Sequence, residues 1–286
     1  MNYLFLLIFF AITSCGIYQG DQGTYSENFN TQELYSLEIH TDGSSIEDGF
    51  DATLEEVLHL ISQNGFAYAY PETFGEFSGS TIATYMDVAR GGFFETVPDS
   101  YPDDAWYHYD DTSCEYACQI TEYFYWALTS ILGAQNYTDG IASRYDEISD
   151  EWELNTVQKM QDRDPNMYDL MSSSDYLLPS ILPSGNYTQS STINISITDS
   201  LPSELDDIAP YFTRYASVFG IHIVATDQVQ DDRILHAAHV LAEYLDNDQD
   251  GNVDNTLVLE KMLERNSVLA IALDSDQMDS IFNQVD

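Results

Sequence analysis

Lysine and arginine are almost absent. The 286-residue chain carries 8 of them against 49 aspartates and glutamates, a formal net charge of −41. The charged fraction, 20%, is slightly below that of an average globular protein, so one sign of charge is missing rather than the other in excess. Tracking a phosphate backbone requires clustered bases that release counterions, which excludes a nucleic-acid partner. Docking on an anionic leaflet requires a polybasic patch, which is missing too. Long apolar runs are also lacking: only Tyr3 to Ile12 is continuous, about ten residues where a membrane span needs roughly 20. What is present is 44% apolar and 13% aromatic residues, enough to bury a real core. The length suits one large domain or two modest ones. With so few bases, at most 8 carboxylates can have a Lys or Arg of their own. An inward-facing carboxylate must then find a metal, a proton or a neutral donor.

The Tyr3–Ile12 run has the length of a signal-peptide core. It ends in Ile12-Thr13-Ser14-Cys15-Gly16, which resembles the bacterial lipobox. That resemblance implies export, with Cys15 lipidated as the mature N-terminus; cleavage near Gly16 by ordinary signal peptidase is the alternative. Membrane contact is then expected only through this N-terminal lipid anchor. The chain has three cysteines, an odd number. With Cys15 assigned to the anchor, Cys114 and Cys118 remain, and an exported protein favours a small disulfide loop between them. A thiolate metal site would want more ligands of that kind.

The pattern along the chain predicts an α+β fold, mainly helical, with a small C-terminal α/β unit carrying a helix–calcium loop–helix. Its expected divisions are a signal segment over 1–15, a polar tether over 16–49, a helical domain over 50–183, a Ser/Thr/Asn-rich linker or edge strand over 184–202, and the α/β domain over 203–286. Within the helical part, Thr53 and Glu56 form a capping box, Leu54, Val57, Leu58 and Ile61 an apolar stripe, and Asn64-Gly65 a stop. A second helix is expected over 81–90. Thr112 and Glu115 suggest a capping box for a long helix over 113–132, with shorter helices near 141–150, 155–162 and 165–172. The C-terminal part reads helix (203–218), strand (221–225), helix (231–245), acidic loop, helix (256–265), strand (268–273) and a short helix.

The acidic loop is Asp246-Asn247-Asp248-Gln249-Asp250-Gly251-Asn252-Val253-Asp254. It resembles the DxDxDG calcium loop of EF-hand and dockerin-type modules. Hard calcium wants six to eight oxygens. The resemblance places Asp246, Asp248, Asp250 and Asp254 at alternate ligand positions, with Asn252 offering its carbonyl and Gly251 the sharp turn. Leu257 stands where that family carries a bidentate acid, and Glu260 is the next acid along. The implied site is weak and stabilising rather than sensing.

Glu55-Glu56-Val57-Leu58-His59 resembles the HExxH motif of gluzincin-type zinc metallopeptidases, with Glu in place of the first His. Glu55 and His59 lie four residues apart and share a helix face. The resemblance implies Glu55 and His59 as zinc ligands, Glu56 as general base, and a third ligand from a later helix, for which Glu122 is the candidate. Glu122 sits on a helix apolar nearly all round, sharing a face with Glu115. His108, Tyr107 and Tyr109 precede it and can add a ligand or an oxyanion donor. His236, His239 and Glu243 share another helix face and are read as an exposed polar surface, as is the Asp146–Glu153 run.

Two functions follow as expectations. One is an exported, lipid-anchored, acidic calcium-binding surface or structural module. The other is a zincin-like hydrolase, active or degenerate. The cofactors expected are calcium and, for the second, zinc; a protein or peptide partner is left unidentified.

Overall fold

The computed structural model describes residues 29–188, 193 and 195–282. The expected export segment, Cys15 and the tether up to residue 28 lie outside them. From Asn30 the expected tether is a strand. β1 (Asn30–Tyr35) joins β2 (Arg214–Val218), β3 (Ile221–Ala225) and β4 (Ser267–Ala272) in one sheet of order β1-β4-β3-β2. β1 and β3 run parallel to β4, and β2 is antiparallel to β3. The fold is therefore α+β, as the patterning indicated.

The helices are α1 (Thr53–Ile61), α2 (Ala67–Ala69), α3 (Pro71–Phe74), α4 (Thr81–Ala89), α5 (Tyr116–Leu132), α6 (Arg144–Ile148), α7 (Val157–Arg163), α8 (Pro165–Met171), α9 (Asp231–Leu245), α10 (Thr256–Glu264) and α11 (Ser275–Phe282). No described helix is long and apolar enough to cross a membrane. β4 is buried along its whole length, because both faces of the sheet are covered. Leu34, Ile223, Leu269 and Ile271 face the core shared with α1, α5 and α9. Tyr35, Val224, Val268 and Ala270 face Leu205, Ile208, Phe212, Met278 and Ile281 on the other side.

Val57 of α1, Leu128 of α5, Leu241 of α9 and Leu269 of β4 belong to a single buried cluster. The expected boundary over 184–202 thus does not separate two cores. Ile193, Ile195 and Ile197 pack part-buried on that cluster, and the segment meets the sheet through a bridge between Thr198 and Tyr215. The helix expected over 203–218 is a short 3₁₀ turn (Ser203–Leu205) followed by β2. Leu205, Ile208 and Phe212 mimic helical spacing, but Pro210 interrupts the backbone ladder. Phe219 (φ 51°) and Gly220 (φ 90°) then close a two-residue hairpin, whose positive φ at both positions matches the twist of the flanking strands.

The stop expected at Asn64-Gly65 is also replaced. The chain continues from α1 through a π-helical turn, Ser62–Phe66, into α2. Gly65 serves close approach instead: a Cβ there would lie 2.6 Å from Val258 Cγ1 and 3.2 Å from Met262 Cγ on α10. Gly65→Ala should overpack this contact, because Val258 is buried and stiff at χ1. The expected loss is about 1–3 kcal/mol, read as a lower urea midpoint at unchanged m-value.

Candidate metal centre

α1 is anchored at its start by Asp51, not by the expected Thr53–Glu56 capping box. Asp51 Oδ1 accepts from the Thr53 and His40 amides, each at 3.2 Å, and Oδ2 lies 2.7 Å from His236 Nε2. The Thr53 hydroxyl is buried without a hydrogen bond, and Glu56 is left for other work. α5 begins at Tyr116 rather than Ser113, because the residues before it are tied back by the Cys114–Cys118 disulfide and by Gln119 Nε2 donating to the Cys114 carbonyl at 2.9 Å. Glu115 is exposed while Glu122 is buried, so the two do not share an environment as expected. α5 is buried nearly all round, which carries Glu122 into the interior against α1.

There Glu55, His59 and Glu122 converge: one ligand atom from each lies within 4.8 Å of the other two. His59 is 1% exposed and Glu122 2%. His59 presents Nε2 to Glu122 Oε2 at 3.5 Å and Nδ1 to Glu56 Oε2 at 3.4 Å. Neither ring nitrogen has the geometry of a hydrogen bond. Tyr125 packs edge-on against the imidazole. Glu56 is fixed from β1, where Gln32 Nε2 donates to its Oε2 at 2.6 Å.

Burial pushes the Glu55 carboxyl well above its usual range, and Glu122 adds to the shift. Burial alone would depress His59, but the Glu122 and Glu56 carboxylates outweigh it and hold the imidazole well above its ordinary value. Other carboxyls are raised as well, Glu76 and Glu151 beside the trio and Glu33 and Glu38 along β1 and the turn after it. Glu33 and Glu38 are each pushed up to about 7 by burial, with Glu56 repelling both. Glu76 is pushed to about 7 by burial, against the Thr121 hydroxyl it accepts from at 2.5 Å. Glu151 is pushed to about 8 by burial and by Glu122. Among the described residues no ion pair joins Glu55, Glu56 or Glu122 to a lysine or arginine.

The acidic loop between α9 and α10 brings together a second trio. Asp246, Asp248 and Asp254 each offer an oxygen within 4.8 Å of the others. Asp250 and Asn252 are not part of it: Asp250 Oδ1 accepts from the Asn252 amide at 2.8 Å and from its Nδ2 at 2.9 Å. Asp246 is fully buried and accepts from the Asp250 amide at 3.0 Å, the Gly251 amide at 2.9 Å and the Tyr187 hydroxyl. Gly251 (φ 93°) makes the sharp turn. Glu260 faces Lys261 at 4.0 Å instead of closing the loop. Burial raises Asp254, and the neighbouring aspartates add to it.

No family model, curated protein or solved structure matches this chain.

Side chains from both expected polar surfaces turn inward, although Asp146, Glu147 and Asp150 stay exposed as expected. His236, read as exposed, is buried against Asp51, and Glu243 is buried and accepts from the Ser184 and Gly185 amides at 2.6 and 2.8 Å. His239 Nδ1 faces the Gly185 carbonyl at 3.1 Å. This helix face holds the 180–188 segment. Within the Asp146–Glu153 run, Glu151 turns inward to accept from Trp126 Nε1 at 2.9 Å. Of the aromatic candidates, Tyr107 donates to the Gln119 carbonyl at 2.9 Å, whereas the buried Tyr109 hydroxyl has no hydrogen bond. Tyr109 keeps its proton, through burial first and then the charge of Glu122. His108 is engaged through its amide with the Glu151 carbonyl at 2.7 Å, its ring packed on Tyr101. Sequence spacing missed Gln32, Glu76 and Glu151. The one available signal was the shortage of bases, which says that inward carboxylates must gather but not which ones.

Proposed function

We propose that the protein is a metal-dependent hydrolase of zincin-like type, carried on an exported scaffold that calcium stabilises at the 246–254 loop. The observation that carries this reading is the convergence of Glu55, His59 and Glu122 around a buried imidazole whose two nitrogens face carboxylates without hydrogen-bond geometry. An imidazole and two carboxylates suit zinc, and three protein ligands leave a coordination position for water or substrate. When bound, such a metal polarises a carbonyl and lowers the pKa of its water. The chain's own residues do the rest. Glu55 and Glu122 supply the charge that holds the cation. Tyr109 keeps an O–H available as a donor beside Glu122. Glu151, at about 8, retains a proton at neutral pH. The lipobox resemblance at Cys15 supports attachment to a cell surface.

Protein purified without chelator should contain about one transition metal per chain, as expected for a three-ligand site. Chelator should abolish peptide hydrolysis, and Glu122→Gln should lower metal retention at least tenfold. Elemental analysis and a peptide-library assay check both. Metal-free wild type that takes up no added zinc sinks the proposal. A second reading, a non-catalytic calcium-dependent surface module, is favoured by the loop's grip on the 180–188 segment: Asn247 Oδ1 accepts from the Ser180 and Ile181 amides at 2.9 and 2.8 Å, and Gln249 Oε1 accepts from the Thr188 amide at 2.9 Å. Bound metal with no hydrolysis, and a calcium-raised melting temperature, would select it.

A further inference from the structure

We infer that Glu56 is a positioning residue for His59, braced by Gln32, and is not the base of the reaction; this rests on the metal centre proposed above. The resemblance to zinc peptidases would make Glu56 the base, but the geometry separates it from the ligand set. His59 meets Glu122 through Nε2 at 3.5 Å and Glu56 through Nδ1 at 3.4 Å. The two carboxylates therefore stand at opposite edges of one imidazole. A cation taken up between Glu55, Glu122 and Nε2 has the ring between itself and Glu56. A base acting on water at that cation must come within hydrogen-bond reach of it, and Glu56 stands behind the ring instead.

What Glu56 can do from there is accept the proton that His59 carries on Nδ1. That acceptance fixes the tautomer that leaves the Nε2 lone pair for the metal, sets the plane of the ring and raises its basicity. Two further observations support the role. Nδ1 is buried and has no hydrogen bond in the present conformation, so an acceptor is wanted on that side. The oxygen it faces, Glu56 Oε2, is the one that Gln32 Nε2 holds at 2.6 Å. Gln32 is buried on β1, in register with Leu269 of β4. The relay thus runs from the sheet through Gln32 and Glu56 to His59.

Cobalt titration of the full chain tests this, because cobalt reports both affinity and ligand geometry through its visible bands. Glu56→Ala should weaken cobalt binding by about 10–100-fold and shift the bands. Glu56→Gln, whose amide oxygen still accepts from Nδ1–H, should recover part of the affinity. Gln32→Leu, remote from the ligands, should weaken binding in the same direction by a smaller factor, and it stands in if Glu56→Ala does not fold. Wild type that takes up no cobalt overturns the metal centre and this role with it. Binding lost in Glu122→Gln but unchanged in affinity and spectrum in Glu56→Ala, or in Gln32→Leu, overturns the role alone.

Discussion

In the presence of chelator, raising the pH from 5 to 8 should lower the melting temperature by roughly 10 °C, an effect of a few kcal/mol on a chain of this size. The cause is a set of carboxyls raised by burial, of which Glu76 feels His59 and Glu151 feels Glu122. Glu33, Glu38 and Glu76 stand at about 7 and Glu151 at about 8, each raised from 4.5 chiefly by burial. A carboxyl whose pKa is higher in the folded chain binds its proton more tightly there. Its stabilising contribution is complete below the unfolded value of 4.5. It shrinks as pH rises, because the unfolded chain ionises first, and it is gone above the folded value of 7 to 8. Each such group contributes a slope of about −1.4 kcal/mol per pH unit in that window. The partly exposed groups, Glu38 above all, contribute less because solvent screens them. His59 acts in the same direction: its contribution is complete below 6.5 and is lost as pH passes its raised folded value.

Two controls isolate the interior groups. Surface repulsion from the net charge of −41 also grows with pH, but at about 1 M salt the Debye length is about 3 Å and that part is screened. Saturating zinc should reduce the slope, because a bound cation favours the ionised form of the carboxylates nearest it, Glu76 and Glu151 among them. Calorimetry at the four pH values 5, 6, 7 and 8, with chelator and with zinc, gives the comparison. A melting temperature that is flat or rising in chelator at high salt contradicts these buried, proton-holding carboxyls.

The sequence made some of this readable and hid the rest for physical reasons. The strand over 221–225 and the helix over 231–245 lie where their patterns placed them, because each is set by local periodicity and ends at a clear turn. β1 was hidden, since a six-residue edge strand in a polar stretch gains its identity only by pairing with β4, more than two hundred residues away. β2 was hidden by Leu205, Ile208 and Phe212, whose helical spacing serves a different packing. The Glu55–His59 pair was legible because four-residue spacing on a helix is a local fact, and Glu122 because a glutamate on an all-apolar helix demands a partner. Gln32, Glu76 and Glu151 reach the same site from three separate segments, and only tertiary packing brings them there. Glu243 shows the converse: helical spacing put it correctly on a face with His236 and His239, but could not tell that the 180–188 segment covers that face.

Asp246→Ala should be the most damaging single change in the acidic loop, costing about 3–5 kcal/mol and roughly 10 °C in melting temperature. Asp246 is fully buried, and its carboxylate serves the Asp250 and Gly251 amides and the Tyr187 hydroxyl together. Its removal leaves those donors without their acceptor and frees the 180–188 segment at Tyr187. Limited proteolysis should then cut within that segment, where wild type resists. Asp248 is the contrasting position. It is exposed, and it accepts from the Asp250 amide at 3.1 Å, an amide that Asp246 also holds. Asp248→Ala should therefore leave calcium-free stability nearly unchanged, since it also relieves repulsion within the trio of Asp246, Asp248 and Asp254. It should, however, abolish the rise in melting temperature that millimolar calcium, the range of extracellular sites, gives to wild type. The two variants separate the loop's hydrogen-bond framework from the proposed binding of calcium. If Asp246→Ala melts with wild type, the buried carboxylate does not organise the loop. If Asp248→Ala keeps the whole calcium response, the acidic trio is not where calcium binds.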